Sequence, residues 1–131
     1  MKLHEVMQEA FDIGYTQMMT QMERSREEKG WACLYRGPRG LKGPVGALIK
    51  DEFYRPSLEK KAVDSNAVYL AIKNSHPEFF KKLSMGDVSD FLGFLDKGLS
   101  IIHNTREPEE WGQHLYYVAR RYDLAIPMLP E

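Results

Sequence analysis

The chain has 131 residues, 43% hydrophobic and 28% charged, with 18 basic side chains against 19 acidic ones and a net charge of -1. A domain of this size buries roughly two thirds of the surface its unfolded chain exposes, so it builds a core without metal or disulfide staples. The charge balance argues against a general nucleic-acid or membrane-surface binder, and the single cysteine, Cys33, excludes both an intramolecular disulfide and a four-cysteine zinc cluster.

Glu5, Glu9 and Asp12 interrupt the apolar stretch that a secretory leader needs. No uncharged apolar run approaches the length that spans a bilayer, so a cytoplasmic protein is expected. Leu3, Val6, Met7, Ala10, Phe11, Met18 and Met22 recur at three- and four-residue steps, which predicts an amphipathic helix from about Leu3 to Glu23 despite Gly14 in its middle. The methionines Met18, Met19 and Met22 read as core filler. The charged run Arg24 to Gly30 reads as a solvated helix end and a turn.

Trp31 to Tyr35 fits a strand, and Val45 to Ile49 fits a second strand or the opening of a helix. With Gly37, Pro38 and Gly40 between them, a small hairpin is the first expectation. Asp64, Ser65 and Asn66 offer caps for a helix through Lys73, and Pro77 starts a short helix through Leu83. Asp87 or Ser89 is expected to cap a helix whose apolar face is Val88, Phe91, Leu92, Leu95, Leu99 and Ile102. A last helix carries Trp111, Leu115, Val118, Ala119 and Tyr122 on one side, with Glu107, Glu109 and Glu110 in its first turn and Arg120 and Arg121 in its last, where the helix dipole favours them. A short connection, Asn104 to Arg106, makes these two helices an antiparallel pair. The tail from Asp123, broken by Pro127 and Pro130, reads as extended. The expected fold is mainly α (α+β): a compact single domain over 1–131, of about five helices with one short Gly-rich β-hairpin.

The densest signal is the segment from Trp31 to Tyr54, which places Gly37, Gly40, Gly43 and Gly46 at steps of three. Residues 1–30, 31–62 and 63–131 carry net charges of -2, +4 and -3, so this segment is a basic island that meets an acidic partner or pairs with its own flanks. Four Gly-X-Y triplets are too few for a collagen helix. A phosphate cradle built from backbone N–H groups with Arg36, Arg39 and Lys42 is a second reading, although the spacing matches neither the phosphate loop nor the dinucleotide fingerprint. The third reading is architectural, with glycines shaping a tight turn that packs on helices.

The run Cys33-Leu-Tyr35-Arg36-Gly37-Pro38-Arg-Gly40-Leu-Lys42-Gly43-Pro-Val-Gly46-Ala-Leu48-Ile49-Lys-Asp51-Glu52 resembles the signature of a family of small uncharacterised proteins of bacteriophages and bacterial genomes. The likeness continues through Phe91-Leu92, Leu95, Ile102-His103, Glu110-Trp111 and Tyr122 to Leu124. Gly43 stands where that pattern has a second cysteine, so paired-cysteine chemistry is excluded here. The resemblance implies a phage or prophage setting, in which small accessory proteins often bind host proteins, and it implies no activity.

Reactive groups are few. Cys33 needs a base and a lowered pKa to act as a nucleophile, and with His4, His76, His103 and His114 all remote in sequence it reads as a small buried hydrophobe. His103 and His114, with Asp96 and Glu110 near them in sequence, would need three or four converging groups to hold zinc, and His114 reads as a core-edge residue. Asp51 and Glu52 are adjacent and point apart on any regular element, so they are no acid–base pair. The expectation is a non-enzymatic protein without cofactor or metal, binding a host or phage protein through Tyr35, Arg36, Arg39 and Lys42. Nucleic acid is not expected as a partner. The alternative is a phosphate- or nucleotide-binding protein using the same cations.

Overall fold

The helix expected from about Leu3 to Glu23 forms, but Met22, expected on its apolar stripe as core filler, lies past its end and is exposed. In the computed structural model, which describes residues 2–130, helix α1 runs Leu3–Gln21 and buries Val6, Met7, Ala10, Phe11, Gly14 and Met18. It ends where Met22 turns left-handed at φ 50. Gly14 lies on the buried face, where an added Cβ would stand 3.1 Å from Pro44 Cβ and 3.2 Å from Leu99 Cδ1. The glycine that interrupts the helical pattern is therefore where another part of the chain comes closest.

The second half is helical as well. Helix α2 spans Asn66–Ser75, with Ser65 accepting the N–H of Val68 at its start. Pro77 opens the single turn α3, Pro77–Phe80, shorter than the expected run to Leu83. Helix α4, Met85–Phe94, is capped by Ser84, which accepts the Asp87 N–H at 3.1 Å, so the cap lies earlier than Asp87 or Ser89. The chain continues without a break through a π-helical stretch, Leu95–Ser100, into α5, Ile101–Thr105. Helix α6, Pro108–Arg121, follows after two residues and packs on α5, α1 and the π-helical stretch. No helix among the described residues is long and apolar enough to cross a membrane.

Aromatic rings knit this half together. Phe79, Phe80 and Phe91 meet edge to face or tilted at 5.7 to 6.4 Å, and His76 lies flat on Phe79 at 4.5 Å. Trp111, wholly buried, stacks on His103 at 5.4 Å and donates its indole N–H to Arg106 O. Burying a large aromatic contributes about 2–3 kcal/mol, so these rings carry much of the core energy.

The expected β-hairpin is absent: the described residues contain no strand, only two isolated antiparallel bridges, Arg26 with Cys33 and Arg36 with Lys42. The reason lies in where the backbone groups find partners. Leu34 N–H bonds Ser25 O and Glu27 N–H bonds Ala32 O, so the backbone of Trp31 to Tyr35 pairs with residues 25–27 and not with Val45 to Ile49. Gly37 N–H bonds Leu41 O across the turn Pro38–Gly40. The apolar run Val45 to Ile49 curls into a buried single turn of 3-10 helix, Gly46–Leu48, that packs on α1. Three further turns, Pro38–Gly40, Asp51–Phe53 and Pro56–Leu58, punctuate the connection between α1 and α2.

Gly46 has the tightest surroundings in the molecule: a Cβ there would sit 1.8 Å from the carbonyl oxygen of Tyr35. Gly46→Ala must displace backbone and is expected to cost about 3 kcal/mol or more. Gly93, inside α4, has nothing within 4 Å of its Cβ position, so Gly93→Ala is expected to stabilise by up to about 1 kcal/mol. Urea unfolding of the two variants beside the wild type checks the contrast. A neutral Gly46→Ala would show that the loop does not depend on this approach.

Candidate functional site

The middle segment is held by one carboxylate. Glu59, just after the turn Pro56–Leu58, accepts the Tyr35 N–H through Oε1 at 2.8 Å and the Arg36 N–H through Oε2 at 3.1 Å. The Tyr54 hydroxyl donates to Oε2 at 2.7 Å. In a sheet the consecutive N–H groups of Tyr35 and Arg36 would point to opposite sides, toward carbonyls of two different strands, whereas here one side chain accepts both. Burial, followed by this carboxylate, pushes both Tyr35 and Tyr54 up to about 12. The Tyr35 hydroxyl bonds Lys61 O.

The four residues expected to form a binding surface are split by this arrangement. Tyr35 lines a cleft on one side. Arg36 turns inward: its side chain is only 18% exposed, bonds Asp51 at 2.6 Å and the Ile49 carbonyl, and lies over the Tyr54 ring at 5.1 Å. The Arg36 guanidinium holds the Asp51 carboxyl below its ordinary value, and Lys42, across the bridge from Arg36, adds to the effect. Lys42 is further fastened through its backbone, which Gln21 grips in both directions at 2.9 and 3.0 Å. Arg39 sits at the turn tip with φ 58 and pairs with Glu23 at 2.6 Å on the surface. The basic island thus meets acids of its own segment and of its flank.

A residue passed over as a site stands out beside Arg26. Trp31 is 83% exposed, and its one aromatic contact is the Arg26 guanidinium, 5.0 Å above the ring. Arg26 and Arg39 border the same small notch with Glu23, Glu27 and Glu28. The signal was present in the sequence as an aromatic next to Gly30, but it was absorbed into the strand expected from Trp31 to Tyr35.

The cleft beside Tyr35 has a volume of about 370 Å³ and lies between the glycine loop, residues 59–63 and the helical run. Cys33, Tyr35, Lys60, Lys61, Asp96 and His103 are among its walls. The π-helical stretch supplies Asp96 and Ser100. Cys33 and His103 share this cleft, yet neither is poised for nucleophilic chemistry. Burial pushes the Cys33 thiol up. The imidazole is fully engaged: Ser25 N–H donates to its Nε2 at 3.0 Å, and its Nδ1–H therefore donates to Asn104 Oδ1 at 2.7 Å. With Nε2 accepting, no lone pair remains to take a thiol proton. Next to Ser25, Arg24 donates to His103 O at 3.0 Å and to Arg106 O, closing the end of α5. His114 stands apart, edge-on to Tyr117 at 6.4 Å. No group of three or more His, Cys, Asp or Glu side chains able to hold a metal occurs among the described residues.

Two variants probe these joints. Glu59→Ala strands two backbone N–H groups and a hydroxyl and is expected to cost about 2–4 kcal/mol. It also lowers the ionisation of Tyr35 and Tyr54 from about 12, which ultraviolet titration of tyrosinate reads directly. An unchanged titration would separate Glu59 from both tyrosines. Burial holds His103 below its ordinary 6.5, against the opposing pull of its Asn104 bond. The folded state therefore favours the neutral ring, and its contribution is complete above 6.5 and drains away as pH falls through 6.5 toward the lower folded value. His103→Gln is expected to flatten the stability-against-pH curve in that window, measured by urea unfolding at a series of pH values.

Compared with known protein families, curated proteins and solved structures, the chain matches none of them.

Proposed function

We propose that this chain is a small cytoplasmic accessory protein of phage type, without enzymatic activity, that works by binding a host or phage protein. The observation that carries the reading is Trp31, a large aromatic left 83% exposed on a loop whose base is fastened by backbone bonds to Ser25 and by Glu59. Tryptophan and arginine are enriched among the few residues that carry most of the binding energy of protein interfaces. Trp31 with the Arg26 guanidinium over its ring, beside a notch where Arg26 and Arg39 alternate with Glu23, Glu27 and Glu28, is suited to a partner with an apolar pocket and a rim of mixed charge. Of the residues first expected, Arg39 belongs to this surface, while Arg36 and Tyr35 act from beneath by fixing the loop. The phage setting rests on the resemblance of the central signature.

A phosphate site built from Arg36, Arg39 and Lys42 has less support. Arg36, one of its three cations, is turned inward and committed to Asp51 and Ile49 O.

Retention of proteins from host lysate on immobilised chain tests the reading. Trp31→Ala and Arg39→Glu are each expected to reduce a retained partner tenfold or more with the thermal midpoint unchanged, because Trp31 packs on little of its own protein. Lys73→Glu, on α2, is expected to leave retention intact. Equal retention by all four proteins would remove this surface from the function.

A further inference from the structure

Helix α6 has two unlike faces. One buries Trp111, Leu115 and Ala119. On the other, Glu109, Gln113, Tyr116 and Arg120 are all exposed and recur at steps of four, three and four, the spacing of a coiled-coil seam. Tyr116 and its neighbour Tyr117 leave 46% and 54% of their surface in water. The side-chain bonds found along this face stay within the helix: Arg120 donates to the Tyr116 hydroxyl at 3.3 Å and Gln113 to the Tyr117 hydroxyl at 3.1 Å. The face is acidic at its first turn and basic at its last. Reversed end for end, it is complementary to itself.

We infer that this face pairs two copies of the chain, their α6 helices antiparallel across a twofold axis. Glu109 of each copy then faces Arg120 of the partner subunit, and Gln113 faces Tyr116 of the partner subunit, since both pairings share one centre between residues 114 and 115. This inference is independent of the surface around Trp31.

Three features favour a second copy over an unrelated protein. The charge order matches only when the helix is inverted, which is what an isologous twofold contact does. Antiparallel helices also set opposite dipole ends side by side. The end charges suit the helix's own dipole as well, but that role does not account for two tyrosines held in water at its middle. Tyrosine in such a place supplies contact area at small entropic cost. A helix of 14 residues is about 21 Å long, so one helix pair buries less than the roughly 1,200 Å² of a permanent interface. The dimer is accordingly weak and reversible.

Sedimentation velocity on the full chain from about 10 μM to about 1 mM, at low salt, is the test. The wild type is expected to shift from monomer to dimer across this range. By symmetry each substitution acts twice, so Glu109→Arg or Arg120→Glu alone sets like charges together at both ends and is expected to raise the dissociation constant tenfold or more. The double variant Glu109→Arg, Arg120→Glu exchanges the charges and is expected to return it to within about threefold of the wild type. Far-ultraviolet circular dichroism confirms that each variant is folded. A wild type that stays monomeric at the highest concentration overturns the inference. So does a dimer indifferent to the single changes, which would lie on another face, or a double variant that stays monomeric.

Discussion

The carboxylate of Glu59 does for this fold what a neighbouring strand does in a sheet. It gathers two consecutive backbone N–H groups, those of Tyr35 and Arg36, and the hydroxyl of Tyr54. Hydrogen bonds to a charged acceptor contribute about 1.5–3 kcal/mol each, more than ordinary ladder bonds. The loop consequently needs no continuous pairing partner, and the run Val45 to Ile49 is free to turn inward and fill the space beside α1. Gly46 completes this joint, because the Tyr35 carbonyl occupies the volume of any side chain there.

A second joint fastens the same loop to the helical half. Ser25 and Arg24 leave α1 and dock on the end of α5, one through the imidazole of His103 and the other through the carbonyls of His103 and Arg106. His103 is spent on this task, buried against Trp111 with both ring nitrogens occupied. Its nearness to Cys33 in one cleft is a by-product of the docking. The geometry of the pair is that of a tie between segments, and the proton-accepting nitrogen a thiol would need is pointed at a backbone N–H.

Charge follows the same logic. The net positive segment 31–62 does not present its cations as a cluster. Arg36 lies under the loop on Asp51, and Arg39 reaches back to Glu23. What the loop offers outward is an aromatic ring with flanking cations, and what α6 offers is a ladder of opposite charges around tyrosines. Both are interface features carried on elements whose inner faces are fixed by the core.

Much of the fold was legible because helices announce themselves through one periodicity: α1, α2 and α6 stand where apolar spacing and caps place them. The sequence also offered Ser65, with Asp64 and Asn66, as caps of α2, of which the structure uses Ser65, and it placed the acidic and basic ends of α6. The glycine loop was legible as architecture but not as shape. An apolar run of five residues serves equally as a strand or as a buried turn, and the choice fell to Glu59, more than twenty residues from the N–H groups it accepts. The π-helical stretch was hidden because the apolar spacing from Val88 to Ile102 reads as one regular helix. The inward turn of Arg36 and the exposure of Trp31 were decided only in three dimensions. Periodicity is a local property written in every turn, whereas the partner of a lone N–H, guanidinium or ring is whatever the folded chain brings to it.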